Sequence, residues 1–281
     1  MTDVAQAFVP GHITGFFTVD DDPDPTKAGS RGGGLALTDG VTVTVRPATA
    51  SSVSLNGHSV EMAAVDRVLH ALDVSANVRG ATDLPLGAGF GVSGAMALGT
   101  ALAANATFDR TLSERELATI AHGAEVEAGT GLGDVVAQER GGVPIRLEPG
   151  GPQVNELDGI PARSRVEYHV IDELPTDDVL AGSTDALSEA GRRALSSVVR
   201  EPTLAQFMQA SRQFSREADL VTPAVREVIM DVADAGGTAA MAMLGETVFA
   251  LDTGLSDAGY DPSVCQIHPG GATVEPSSES R

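Results

Sequence analysis

Apolar and polar positions alternate along the first fifty residues. Ala5-Gln6-Ala7-Phe8-Val9 predicts an opening strand stopped by Pro10-Gly11, and His12-Ile13-Thr14-Gly15-Phe16-Phe17 continues from that turn. A strand pair is predicted over residues 35–38 and 41–46. From residue 60 the period changes: Val65, Val68, Leu69 and Leu72 make a helical stripe, after which residues 74–78 alternate again as a strand. A second helix opens at Ser113, which stands as N-cap with Glu116 at the capping-box position, and runs to about Glu127. Further on, residues 165–171 read as a strand and residues 185–199, 203–218 and 223–235 as helices. Residues 239–251 read as a hairpin turning at Gly245-Glu246, with Met241 and Met243 as core fillers.

One stretch breaks this alternation. Residues 84–95 carry glycines at 87, 89, 91 and 94, and an uncharged Ala/Leu-rich helix follows. Glycine allows positive φ and close approach of backbone to a ligand, while a helix N-terminus offers unpaired N–H groups and a positive dipole end. Together these favour an anion, so Pro85, Gly87, Gly89, Gly91, Ser93 and Gly94 are read as a nucleotide-phosphate loop. Gly89, Gly91 and Gly94 also match a dinucleotide fingerprint, with Asp109 about twenty residues on, but that fingerprint leaves a buried strand and residues 79–85 are polar and end in proline. A Walker loop is excluded, because Lys27 is the only lysine. A glycine-rich turn into a core helix is the remaining local alternative.

Composition narrows the setting. A chain of 281 residues can bury two tightly packed modules, and Gly150-Gly151-Pro152 marks a boundary between residues 1–150 and 151–268. Residues 269–281 are Pro/Ser/Glu-rich and read as a disordered tail. With 42% apolar residues, no long apolar run and no leader, a cytoplasmic location is expected. The single cysteine, Cys265, excludes an internal disulfide and reads as a small buried side chain in a C-terminal strand. A formal charge of −21 disfavours nucleic acid and membrane as partners, and acids spread along the chain read as adaptation to high salt. The acidic loop at residues 20–25 lacks the spacing of a calcium loop. There are no repeats.

Several side chains outside the loop have chemical potential. His122 and Glu125 are three apart and share a helix face, and that helix ends in Gly129-Thr130-Gly131-Leu132-Gly133-Asp134. Arg146, on a strand entered after Gly141-Gly142, presents a permanent cation suited to a carboxylate or phosphate. His12 either caps its turn or touches substrate. Ser30 lies in a second glycine-rich segment, Gly29-Ser30-Arg31-Gly32-Gly33-Gly34.

Pro85, Gly89, Phe90, Gly91 and Ser93 fall in register on Pro-x-x-x-Gly-Leu-Gly-Ser-Ser-Ala, so the chain resembles the GHMP small-molecule kinases, with Val92 and Gly94 departing from the motif. The segments at residues 8–17 and 29–32, and Met-Ala-Met-Leu-Gly at 241–245, are closest to the archaeal pantoate kinases. The resemblance spans residues 8–251. It implies an α/β (two-layer α+β) GHMP fold, with an N-terminal β-rich kinase module, a C-terminal ferredoxin-like module and the site between them. It also implies ATP-dependent phosphorylation of pantoate to 4-phosphopantoate, on the route to coenzyme A, with ATP and Mg2+ bound. By the same resemblance Glu125 is the catalytic magnesium ligand, helped by the Ser93 hydroxyl, with Glu127 as the alternative ligand. Asp134 is then the catalytic carboxylate that activates the hydroxyl, and Ser30, His122 and Arg146 bind substrate, with His12 a further candidate substrate contact. The partner is a small molecule, and a homodimer is compatible. Other small hydroxy acids or alcohols, such as mevalonate or homoserine, and a non-catalytic nucleotide sensor on the same scaffold stay open as alternatives.

Overall fold

The computed structural model describes residues 4–172, 184–243 and 245–275. The first of its two sheets has eight strands. Six follow one path: β12 (Thr273–Glu275), β1 (Ala5–Phe17), β2 (Gly32–Pro47), β5 (Ala76–Ala81), β3 (Ser52–Leu55) and β4 (His58–Ser59). β6 (Val143–Glu148) pairs with the start of β2, and β7 (Glu156–Ile160) pairs with β6.

Both long strands run through the breaks that their sequence suggests. Pro10 pairs with Gly40 and Gly11 with Leu37, so residues 38–39 form a bulge opposite a continuous β1. A proline without an N–H is tolerated at such a bulge, and there it bends the strand without ending it.

The second sheet is antiparallel, in the order β11 (Ser263–Gln266), β8 (Arg165–Asp172), β10 (Glu246–Leu251), β9 (Ala239–Ala242). Glu246 already belongs to β10, so the hairpin turns before it, and Leu244 lies outside the described residues. Cys265 is buried on β11, as its composition suggests.

α1 (Ala63–Ala71), α2 (Val92–Thr107) and α3 (Glu114–Ala128) cover one face of the first sheet, closing a core around Val9, Val43, Val78, Leu98 and Leu117. α3 starts as its capping box predicts: Glu116 N donates to Ser113 Oγ (3.3 Å), and Ser113 N donates to Glu116 Oε2 (2.8 Å). The short α4 (Asp134–Arg140) follows. α5 (Asp185–Arg200) packs on α6 (Leu204–Glu217) and on β1 and β2 of the first sheet, while α6 and α7 (Pro223–Asp234) pack with the second sheet, ahead of one further turn, α8 (Gly254–Asp257). Phe207 of α6 stacks near Phe16 of β1 (5.8 Å) and Phe249 of β10 (6.5 Å), so one aromatic core ties the two sheets together.

Two expectations about boundaries change. β7 lies beyond Gly150 yet belongs to the first sheet, and the chain enters the second sheet only at β8. The segment read as a tail is ordered as far as Glu275, because β12 pairs Gln6, Ala7 and Phe8 and satisfies an otherwise open edge of β1. Residues 276–281 lie outside the described residues. Among the described residues no helix is long and apolar enough to cross a membrane.

α2 is buried along most of its length, which explains its lack of charge. It approaches the sheet tightly at Gly99, where an added β-carbon would lie 2.5 Å from Val43 Cγ2 and 2.8 Å from Val43 Cβ. Helix propensity favours Gly99→Ala by about 1 kcal/mol, whereas overpacking costs about 1–3 kcal/mol. Gly99→Ala is therefore expected to lower Tm, and adding Val43→Ala to restore part of the loss; a variant melting above wild type would show that propensity wins.

Candidate active site

The loop between β5 and α2 takes up its shape through glycine. Gly87, Gly89 and Gly91 have φ of 74°, 84° and 64°, a region that side chains rarely enter. Gly91 is the N-cap of α2, and no side chain caps the first turn, whose N–H groups are left for a ligand. The loop is held from outside itself: Phe90 O accepts from His12 N (3.0 Å), Ala88 O from Thr247 Oγ1 (3.1 Å), and Gly91 O from Gln138 Nε2 (2.9 Å). A cavity of about 150 Å³ lies over it, lined by Pro85, Gly87, Gly89, Gly91 and Ser93, with Thr14, Thr130, Asp134 and Met243 opposite. Gly94 is the exception among the predicted loop residues. It is buried inside α2, facing Gln138 Oε1 and the Asp134 Cβ, where its lack of a side chain lets α4 pack closely.

Two carboxylates converge behind the loop. α3 ends at Gly129 in the left-handed region (φ 71°), which turns Thr130 back over its last turn. Glu125 is 2% exposed, and its Oε1 accepts from Ser93 Oγ (2.6 Å) and Thr130 Oγ1 (2.8 Å). Burial pushes its carboxyl up to about 7, assisted by the nearby Asp134 and opposed by the two hydroxyls. A β-carbon at Gly131 would lie 2.5 Å from Glu125 Oε2 and 3.5 Å from Asp134 Oδ2, so both acids flank this one glycine. Glu127 points elsewhere and pairs with Arg67 (3.2 Å).

Asp134, the first residue of α4, accepts from His12 Nδ1–H at 2.8 Å. Burial works against its charge, but His12 and the Arg146 cation outweigh it and hold Asp134 below the usual carboxylate range. Burial likewise lowers His12, more than Asp134 raises it. The imidazole is then neutral, and since an ionised carboxylate only accepts, the proton sits on Nδ1.

A second cavity, of about 110 Å³, shares Thr14, Thr130 and Asp134 with the first. Phe17, Ser30, Leu132 and Arg146 complete its side-chain lining. Arg146 is 1% exposed; its Nε donates to Ser30 O (3.2 Å), and its Nη1 has no partner. Burial pulls the guanidinium down to about 10, against the attraction of Asp134, so it stays charged at neutral pH. Ser30 Oγ donates to Leu132 O (3.2 Å).

Two of the predicted substrate residues sit one layer back. His12 is fully buried and meets Asp134, and His122 Nε2 donates to Ala28 O (2.8 Å), bracing the segment that carries Ser30. Burial lowers His122 too, so its ring is neutral and acts through that hydrogen bond. Thr14, Thr130, Phe17, Leu132 and Gln138 were not singled out by the sequence, since a threonine, a leucine or a glutamine carries no chemical signal until the chain folds around it.

The Glu125 shift links to stability. Its folded-state value lies above the ordinary 4.5, so between pH 4.5 and 7 the folded protein holds a proton that the unfolded chain releases, and stability falls as pH rises. Without metal the penalty at pH 8 is about 3 kcal/mol at 1.36 kcal/mol per unit. Glu125→Gln is expected to melt above wild type by several degrees at pH 8 and not at pH 4, with the exposed Glu127→Gln shifting neither. Equal melting of Glu125→Gln and wild type at pH 8 would show that the carboxylate is not strained by burial.

The comparisons with known proteins fit this geometry. Residues 60–142, which carry the glycine loop and both acids, match the GHMP kinases N terminal domain. The pantoate kinase of Methanocaldococcus jannaschii is 32% identical over 273 residues, covering 93% of this chain and 99% of that protein. That of Methanospirillum hungatei is 35% identical over 256 residues, covering 87% and 86%. A solved phosphotransferase related to the CoA biosynthesis pathway superposes with a TM-score of 0.87 at 30% identity, covering 97% of this chain and 98% of that one. By these likenesses the chain belongs to the pantoate kinases, within the GHMP kinase family.

Proposed function

We propose that this protein transfers the γ-phosphoryl group of ATP to the terminal hydroxyl of pantoate, giving 4-phosphopantoate and ADP. One observation carries the reading. A buried guanidinium with an unpartnered Nη1 lines a cavity that meets the phosphate-loop cavity at Asp134. Pantoate is an anion whose reacting hydroxyl lies at the end remote from its carboxylate. Arg146 and Asp134 offer the complementary arrangement, a cation for one end and an acceptor for the other.

In this reading the N–H groups of residues 87–93 and the positive end of α2 hold the ATP phosphates. Arg146 binds the acceptor carboxylate, and Ser30 contributes beside it. Asp134 accepts a hydrogen bond from the hydroxyl and aligns its oxygen with the γ-phosphorus. That oxygen forms the new P–O bond as the bond to the β-phosphate bridging oxygen breaks, and the hydroxyl proton passes to Asp134. A carboxylate held below its usual range is a weak base, which suits a loose transition state in which the proton leaves late. His12 fixes the Asp134 rotamer through its Nδ1–H.

The donor set also suits magnesium. Glu125, with Asp134 across Gly131 and the Ser93 and Thr130 hydroxyls alongside, is a small hard-oxygen group of the kind magnesium takes while keeping water and phosphate oxygens. When bound, the ion would neutralise charge developing on the phosphates. It would also relieve the raised Glu125. We read the −21 charge as an adaptation to high salt and a cytoplasmic setting, so the deciding assay is ADP release with pantoate as acceptor in multi-molar potassium chloride. Release with mevalonate or homoserine and none with pantoate would reassign the acceptor.

Asp134→Asn keeps the shape and loses the proton acceptor, so kcat is expected to fall by roughly 10²–10⁴-fold with KM for ATP little changed. Near-normal turnover would remove Asp134 from the chemistry. Arg146→Ala is expected to lower kcat/KM for pantoate by roughly 10²-fold, and Arg146→Lys to recover only part of it, because lysine keeps the charge and loses the fork. A matching rise in KM for ATP would place Arg146 on the nucleotide instead.

A further inference from the structure

The acceptor cavity has a wall that neither charge recognition nor proton transfer uses. Phe17 pairs with Gly32 on β2, and Gly32 pairs in turn with Arg146 on β6, so the three stand in one row across the sheet. Two strand spacings separate the outer members by roughly 10 Å, and the middle one has no side chain. A β-carbon at Gly32 would run into Phe16 O and Phe17 Cα of β1 and come within 3.1 Å of Arg146 Nη2, so only glycine lets ring and guanidinium flank this position without a side chain between their strands. The ring itself is fixed from behind by Phe214, with centroids 5.6 Å apart.

The opposite side comes from the 129–133 loop. Gly131 lies against Glu125, and Gly133 against Ser30 and Arg146, where a β-carbon would come within 2.5–2.7 Å of the side chains. Leu132, between them, is the one residue of Gly131-Leu132-Gly133 with a side chain to present, and it lines the cavity. Its own carbonyl is held by Ser30 Oγ, which fixes the loop and hence the direction of the isobutyl group.

We infer that Phe17 and Leu132 form a specificity wall that reads the branched carbon between the acceptor's carboxylate and its reacting hydroxyl. This rests on the pantoate reading above. Pantoate carries two methyl groups on that carbon. Filling the space between ring and isobutyl group with those methyls removes apolar surface from water, whereas an unbranched hydroxy acid leaves the pocket loosely filled and its hydroxyl poorly held over Asp134. Charge recognition by Arg146 alone would accept both.

The test compares kcat/KM for (R)-pantoate and for 2,4-dihydroxybutanoate, which keeps the carboxylate and both hydroxyls and lacks the two methyls. Wild type is expected to prefer pantoate by roughly 10²-fold. In Leu132→Ala that preference should fall by about tenfold, since the methyl groups lose their contact, and in Phe17→Leu it should move the same way. KM for ATP should hold in both variants. A wild type that uses the two acceptors equally, or a preference unchanged in both variants, overturns the wall while leaving pantoate phosphorylation standing. If wild type does not phosphorylate pantoate at all, the function proposed above falls, and the wall with it.

Discussion

Arg146, Glu125 and His12 are drawn out of water around the partly buried Asp134 and one short glycine-rich loop, and the arrangement of the site depends on how their charges offset one another. A guanidinium 1% exposed is tolerable only beside an anion, and Asp134 is that anion. Glu125 then bears the consequence: close to an ionised Asp134 and cut off from solvent, it holds its proton up to about 7. Such a cluster is a cost to folding, so stability must come from elsewhere. It comes from the Phe16, Phe207 and Phe249 core between the sheets and from α2 lying flat on Val43.

The site is assembled by backbone approach as much as by side chains. Gly91 and Gly94 let α4 press Asp134 and Gln138 onto the start of α2, and Gly131 and Gly133 let the next loop lie on Glu125, Ser30 and Arg146. The His12 amide holds the glycine loop through Phe90 O while the His12 ring holds Asp134, so a single residue of β1 sets the distance between that loop and Asp134. Met243 N donates to Thr14 O, and this brings the second sheet to the same point.

Local and global charge have opposite signs. The chain carries −21, yet its two contiguous cavities are lined by a buried arginine and by a helix N-terminus, both of which favour anions. At an ionic strength near 1 M the Debye length is about 3 Å, which confines the repulsion of surface carboxylates to their own neighbourhood. The short-range attraction of Arg146, itself 1% exposed, is screened far less.

Much of this was legible along the chain. The helical stripes, the Ser113 capping box, the glycine loop and the register of its motif are local patterns, and local physics alone makes them: periodic burial, cap hydrogen bonds and freedom at positive φ. Three-residue spacing puts Glu125, and not Glu127, on the His122 face, and in the fold Glu125 is buried beside Ser93 while Glu127 pairs with Arg67. What the chain could not disclose depends on partners distant in sequence. Pro10-Gly11 reads as a stop until Gly40 and Leu37 take up the bulge, and the C-terminal tail reads as disordered until β12 finds the open edge of β1. His12 and His122 look like substrate ligands by residue type, but Asp134, 122 positions on, and the Ala28 carbonyl, 94 positions back, engage them. Whether a polar side chain faces a ligand or another buried group is set by which strand it meets. Only the closed fold decides that.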